Sequence, residues 1–591
     1  MRKLSRACLL VLSTCASLAI LRAQIQQSPS DSSTVIRATT RLVQVDVVVT
    51  DSSGHPVKDH LTEKDFSILE DGKPQKVSFF SFQQLEGREK RQPPQLPPHV
   101  ATNRPEYRHT TGPPIILLLD GVNTPVENQM YVRQQMLRFL ANHFDPSMRI
   151  AVFVLGNELT VLQDFTSDPA LLTAAMQKYR SQSSASGRQG GTDVQLQAPT
   201  FDGGSISPRA GQVASDGSGG TGGPGESSSR SLMNIAGALA RFEKEITANT
   251  LEMRVAQTAD ALSTIARYLA GFPGRKVVIW FSASFPLNLS IVDQQDFDVY
   301  RSYADRIRQT TNLLSDAQVA MYTVDARGLV GTAISDPSDS GRDANGRMQL
   351  TVEEHMKANS KEIFERFSKE DSLIKVAQET GGRAFLNTND LDRAIVESVE
   401  DSSTYYMIGY YPSRKQWDGK FHTVKVKVAR EGVVVRHRRG YYAIDPENWR
   451  RSGAAEMKTA LEKDTIGSTG VLFYARALPA TADAEVKVEF LVDPHTITFE
   501  TISENQRYCN LEFQVQAFTP EGKLVKVEAQ QAEAPLKPQT FARIQQNGLP
   551  MPVGIKLEPG EYVLHVGVRD NRTGLFGTAE LPVAVAAAPG R

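Results

Sequence analysis

Between Ile115 and Tyr411 the chain repeats one pattern: a short apolar run of strand length, then a longer stretch with helical spacing. The runs are "IILLL", "RIAVFVLG", "KVVIWFS", "VAMYTV", "GRAFLN" and "TYYMIGYY", and helical stretches over 126–143, 169–179, 231–271, 292–317, 351–379 and 389–402 separate most of them. Strands that are apolar throughout need cover on both faces, and intervening helices supply it, so the pattern predicts a mostly parallel, doubly wound sheet. Helix starts are marked by Asp168 before Pro169, and by Asn389, which is expected to cap the helix beginning "DLDRAI".

The flanking segments have a different period. Residues 35–82 alternate apolar and polar side chains, with a hairpin tip at Asp71-Gly72 in "FSILEDGKPQKVSFFSF", and read as a small immunoglobulin-like β domain. Residues 83–114 carry seven prolines in 32 positions and read as an extended linker. Residues 115–445 form the α/β domain, closed by "TYYMIGYY", a turn at Asp418-Gly419 and the alternating "FHTVKVKV"; the tyrosines read as sheet packing. Within it, 181–230 hold 23 Gly or Ser in 50 positions without apolar periodicity, which predicts a disordered insertion. A linker helix over 446–465 leads to five β runs in 466–588, expected to form an immunoglobulin-like sandwich with Cys509 as a buried small hydrophobe. The expected class is thus multidomain α/β plus all-β, with a central doubly wound sheet flanked by the two β domains.

Residues 1–23, "MRKLSRACLLVLSTCASLAILRA", place basic residues before an apolar stretch and a small residue at a cleavage position, the pattern of an export signal. An uncleaved membrane anchor is the alternative, disfavoured because the apolar core is short for a bilayer span; lipidation at Cys15 in "LSTC" is a third reading. Removing the signal takes four of the 66 basic residues and leaves 62 against 67 acidic ones. That balance argues against a nucleic-acid partner. With Cys8 and Cys15 in the signal, Cys509 stands alone, which excludes an intrachain disulfide framework and a cysteine metal cage from the mature chain.

Ligands in an open parallel sheet collect beyond the carboxyl ends of the strands. Asp120 ends the first strand in "LLLDGVNT", and Ser282 and Ser284 follow a later one in "WFSASFP". Here the order of elements resembles a von Willebrand factor type A domain. That resemblance implies a metal-ion-dependent adhesion site, in which Asp120 takes the leading aspartate and Thr124 presents a hydroxyl. Val122 replaces a serine, and "SAS" stands where an acidic loop is typical. The second-loop threonine falls on Thr192, inside the insertion. Candidate metal ligands are therefore Asp120, Thr124 and Ser282, with Asn123, Ser284 and Asp325 lining the crevice. Magnesium wants about six oxygen ligands including one or two carboxylates, so this set predicts at most weak magnesium or calcium binding. The competing reading makes Asp120 and Asn123 caps of the following helix. "DPSDS" at 336–340 matches the adhesion motif by letter but follows no apolar strand, and reads as a surface turn.

Over 40–445, "VVVTDSSGHPVKDHLTEKDFSILEDGKPQKVSFF", "LAGFPGRKVVIWFSASFPL", "VAMYTVDARGL", "AQETGGRAFLNTNDL", "WDGKF" and "RRGYYA" together are similar to the VWFA-related domain proteins described from acidobacteria. The resemblance implies a secreted or periplasmic A-domain protein of no assigned activity, and it brings no catalytic residues with it. No Gly-x-Ser-x-Gly, His-Glu-x-x-His or phosphate loop occurs. The function expected is a non-enzymatic binding or adhesion module for a protein or cell-envelope partner, with no stable transmembrane span after cleavage. An exported hydrolase of unrecognised type and a structural envelope scaffold are the alternatives.

Overall fold

The computed structural model describes residues 42–57, 61–84, 94–107, 113–181, 249–285, 297–329, 352–413, 417–444, 446–462, 466–478, 485–503 and 506–586. The export signal, the 181–230 insertion after its first residue, Thr192 and the 336–340 motif lie outside them.

The N-terminal segment gives β1 (Val43–Thr50), β2 (Phe66–Glu70), β3 (Lys73–Gln75), β4 (Val77–Gln84) and β5 (Val100–Thr102). Next come β6 (Pro114–Asp120), β7 (Arg149–Leu155), β8 (Leu159–Thr166), β9 (Lys276–Ser282), β10 (Val319–Asp325) and β11 (Ala384–Phe385). Helices Val126–Asn142, Pro169–Lys178, 249–269, Phe297–Asp316, Val352–Thr380 and Leu391–Ser403 alternate with them. The chain then forms β12 (Thr404–Tyr410), β13 (Phe421–Val428), β14 (Val434–Arg436), β15 (Gly440–Tyr442) and helix Pro446–Ala460. It ends in β16 (Phe473–Leu478), β17 (Glu485–Val492), β18 (Glu500–Ser503), β19 (Gln506–Phe518), β20 (Leu524–Leu536), helix Pro538–Asn547, β21 (Leu549–Lys556), β22 (Gly560–Asp570) and β23 (Phe576–Val585).

These strands lie in five separate sheets, and this corrects the expected fold class. The chain is mostly β, and four of its sheets are antiparallel throughout: β14-β1-β12-β4, β15-β13-β2-β3, β21-β17-β16-β5, and β18-β19-β22-β23 with β20 on β19. The sequence had instead made a doubly wound parallel sheet the organising centre, with self-contained β domains at the ends. The remaining sheet, ordered β11-β10-β9-β6-β7-β8, is mixed, with β8 antiparallel at its edge.

The physical reason lies in which strands pair. Segment 35–82 does not close on itself: β1 and β4 flank β12, and β2 pairs with β13, so the N-terminal sandwich is completed only by strands that follow the mixed sheet. Its shared core includes Val45, Val47, Ile68, Tyr406, Ile408 and Val424. Alternation tells each strand which face is buried but not which partner it takes. The Asp71-Gly72 tip does turn the β2–β3 hairpin, with φ of 49° and 80°, values only a primed turn uses. By contrast, β12 and β13 belong to different sheets, so the Asp418-Gly419 segment crosses between layers rather than closing a hairpin.

The proline-rich segment likewise contributes to a sheet. β5 pairs with β16, Thr102 Oγ1 donates to Phe473 O (2.6 Å), and the buried Asn103 Nδ2 donates to Val471 O (2.7 Å). Both sheets of the C-terminal sandwich close on one core containing Phe473, Phe490, Cys509, Phe513 and Val566. Cys509 is buried there, as the sequence reading expected.

Two joints hold the α/β unit to its neighbours. Arg275, fully buried, donates from Nη2 to Gly381 O (2.7 Å) and from its backbone N–H to Tyr405 Oη (2.9 Å), tying the foot of β9 to the N-terminal sandwich. Thr469 Oγ1 accepts from Gly271 N (2.7 Å) and lies 2.7 Å from Tyr268 O, clamping the end of helix 249–269 to the C-terminal sandwich. Among the described residues no helix is long and apolar enough to cross a membrane.

Candidate functional site

The mixed sheet brings three polar strand ends to one level. β6, β9 and β10 run parallel, with Leu119 opposite Phe281 and Asp325 opposite Ser282, so Asp120, Ser282 and Asp325 finish side by side. All three strands are buried along their whole length, and Asp120, Ser282 and Asp325 are their last residues.

Asp120 is buried, at 2% exposure. Its Oδ1 accepts the backbone amides of Val122 (3.0 Å) and Asn123 (2.8 Å), and its Oδ2 accepts Asn123 Nδ2 (2.9 Å), Trp280 Nε1 (3.1 Å) and Ser282 Oγ (2.7 Å). A carboxylate offers about four lone-pair positions, so five donors saturate it. Burial raises the Asp120 pKa, opposed by the hydrogen bonds from Asn123 and Ser282 and by the charge of Arg254.

Arg254 is the cation of this site, and it stands one side chain away. Its Nε donates to Asn123 Oδ1 (3.1 Å), while Asn123 Nδ2 also reaches Thr258 Oγ1 (2.9 Å), so Asn123 relays between carboxylate and guanidinium. Burial lowers the Arg254 pKa and the Asp120 charge opposes that shift. Thr124 is buried, and its Oγ1 accepts from Ala283 N (3.2 Å), fastening the loop after β6 to the loop after β9. Ser282 Oγ also lies 2.9 Å from Ser284 O, and Ser284 Oγ is 3.5 Å from Arg254 Nη2.

Five of the six predicted positions, Asp120, Asn123, Thr124, Ser282 and Ser284, are therefore in one network. Asp325 is separate: it accepts Arg327 Nε (2.9 Å) and Nη2 (2.7 Å) in a bidentate pair that orders its own loop. The donor set does not fit magnesium or calcium, because the one carboxylate among Asp120, Thr124 and Ser282 is fully subscribed and a guanidinium lies beside it. Nor does Asp120 cap the next helix. Helix Val126–Asn142 begins at Pro125 without a side-chain cap, and Asp120 instead closes a turn within its own loop. Asn389 behaves similarly: Asp390 caps helix Leu391–Ser403 through Arg393 N, while Asn389 Oδ1 accepts Leu329 N (2.9 Å). The cap of helix Pro169–Lys178 is Asp168, as expected.

Sequence reasoning missed Arg254, Thr258 and Trp280. Arg254 and Thr258 are four apart, hence on one helix face, and that spacing was the available signal. A second polar cluster was also invisible in sequence: His422 Nδ1 faces Asp71 (2.7 Å) and Nε2 faces Asp418 (2.9 Å), beside Glu70, which accepts from Tyr410 and Tyr441. With a carboxylate on each ring nitrogen, His422 locks the β2–β3 turn against β13.

No family model matches the chain, and no curated protein matches it. Among solved structures it is similar to an aerotolerance-related membrane protein from Bacteroides fragilis carrying multiple mutations to serine, and to the conserved hypothetical protein BatB from Bacteroides thetaiotaomicron. Each likeness has 10% identity and covers 49% of this chain and 98% of the other, with TM-scores of 0.23 and 0.20. Values this low leave the fold to be read from the chain's own strand order.

Proposed function

We infer that the chain is an exported, non-enzymatic binding protein of the cell envelope, and that its docking face is the strand-end crevice used without a metal ion. The rim of the crevice carries the reading. Met130, Met253 and Leu329 are exposed at 60%, 57% and 66%, on three segments that border the strand ends. The Leu329 loop and helix Val126–Asn142 are neighbours, since both Leu329 N and Tyr131 Oη bond Asn389. At the same strand ends the Asp120–Asn123–Arg254 network is internally hydrogen-bonded. Exposed apolar side chains on segments adjoining a neutralised polar network suit a protein partner. The N-terminal 23 residues support export, and the absence of nucleophile and metal-hydrolase motifs supports a role without catalysis.

Two measurements test this. Calorimetric titration with magnesium, manganese and calcium is expected to give no saturable heat for the wild type or Asp120→Asn; binding lost in the variant would return the site to metal-dependent adhesion. A photo-cross-linking residue at Met253 or Leu329, introduced in producing cells, is expected to yield one discrete adduct that a control at exposed Val434 does not. Equal adducts at all three positions, or none, would refute the docking face.

A further inference from the structure

The two sheets of the C-terminal sandwich part along one side. There, among the described residues, β20 pairs only with β19 and β21 only with β17, and a cleft of about 750 Å³ opens among β20, β21 and the helix Pro538–Asn547 that joins them. This volume lies in the range of small-molecule sites. Its cause is local: Cys509 faces Ala534 and Leu511 faces Ala532 in register, so small side chains line the inner surface where β20 crosses the core.

The cleft is polarised. Its inner end is formed by buried Cys509, Ala532, Ala534, Ile544 and Met551. At its outer end Arg476 pairs with Glu489 (2.8 Å) and Tyr474 Oη bonds Tyr107 Oη (3.1 Å). Lys487 and Arg543 also line it, and neither has an acidic partner among the described residues. With Glu533 also in the lining, three cations stand against two carboxylates, and the one positive charge in excess beside an apolar cleft suits one anionic group.

A peptide strand is a poor occupant. β21 carries Pro550 and Pro552 opposite Leu491 and Glu489. Proline has no N–H for a ladder, so these positions are the ones whose N–H would point to the open edge, and that edge cannot accept a full added strand.

The geometry points to a binding site for a single-chain anionic amphiphile: an alkyl tail seated between the sheets and a carboxylate or phosphate head held at Lys487 and Arg543. The test is calorimetric titration of the full chain, signal removed, with laurate, dodecyl phosphate and dodecanol, all below their micelle concentrations. One saturable site is expected for at least one anionic ligand, and the tighter of the two names the head group. Shortening the tail should weaken binding roughly fourfold per methylene. Arg543→Glu, an exposed change, should weaken the anionic ligand at least fivefold and leave dodecanol unchanged, and Ala534→Phe should abolish binding by filling the inner end. Bound ligand should also slow alkylation of Cys509 at least fivefold, read by peptide mass, which decides the matter if Ala534→Phe does not fold. Absence of saturable binding by both anions, dodecanol binding as tightly as they do, or affinity and Cys509 alkylation both unmoved would overturn the assignment.

Discussion

Replacing Asp120 by alanine separates a structural hub from a metal ligand by the sign of the effect. In the folded chain five donors converge on this carboxylate. Two have alternatives: Ser282 Oγ can turn to Ser284 O, and Asn123 Nδ2 keeps Thr258 Oγ1. The Asn123 amide and the Trp280 indole N–H have no other acceptor among the described residues. Each buried donor left unpaired costs about 1–3 kcal/mol, while the variant no longer pays for a buried carboxylate. Arg254, meanwhile, loses its counter-charge. The net expectation is a loss of about 3–5 kcal/mol, the range seen when one partner of a buried charge network is removed. A carboxylate that waited for an ion would behave oppositely: without the ion its removal would be neutral or stabilising. The assay is urea unfolding followed by fluorescence of Trp280, with Trp417 and Trp449 changed to phenylalanine, in chelator and again in millimolar magnesium. Because the chain has several cores, only the Trp280 transition is compared. A loss below about 1 kcal/mol, or one that appears only with magnesium, would refute the hub.

Further outcomes follow from the same contacts. Burial lowers the Lys276 pKa to about 7, so between pH 7 and the ordinary lysine range the unfolded chain holds a proton that the folded chain has shed. Unfolding free energy should therefore rise with pH across that window, by up to about 1.4 kcal/mol per unit, and Lys276→Met should remove the slope. Arg254→Met strips the charge that opposes the raised Asp120 pKa. Its stability should fall by about 1–3 kcal/mol at pH 7 and recover on acidification as Asp120 protonates, measured by the same unfolding curves. Thr469→Val removes the acceptor of Gly271 N and should cost about 1–3 kcal/mol at the C-terminal joint, seen as faster amide exchange at the end of helix 249–269. Gly577→Ala would set a Cβ 1.9 Å from Val471 O, and is expected to leave little folded C-terminal sandwich by thermal unfolding.

What could be read from sequence depended on how local the information was. β6, β7, β9 and β10 were legible because a strand buried on both faces must be apolar along most of its length. The gathering of Asp120, Thr124 and Ser282 was legible because parallel strands end at a common level. The organisation of the whole was not. The residues of β1 and β4 state which face is buried but hold no record of β12, and β5 is a three-residue strand hidden among prolines. The chemistry at Asp120 also escaped, since the deciding groups, Arg254 and Trp280, come from other elements and resemble ordinary helix-surface and core residues. Asn389 and Asp390 differ by one position, and which of them caps a helix was settled by a loop sixty residues upstream.

The insertion of the mixed sheet between β4 and β12 governs the order in which the molecule can be made. Gln44 meets Met407 across 363 positions, so the strands of segment 43–84 leave the ribosome, and any export channel, long before their partners. Until then β1 and β4 are unpaired edges of the kind that recruits foreign strands. The last sandwich strand to arrive, β15, thus acts as the closing stitch of the N-terminal half, and a chain truncated before it should be open to proteases at the N-terminal segment even when the mixed sheet has already folded.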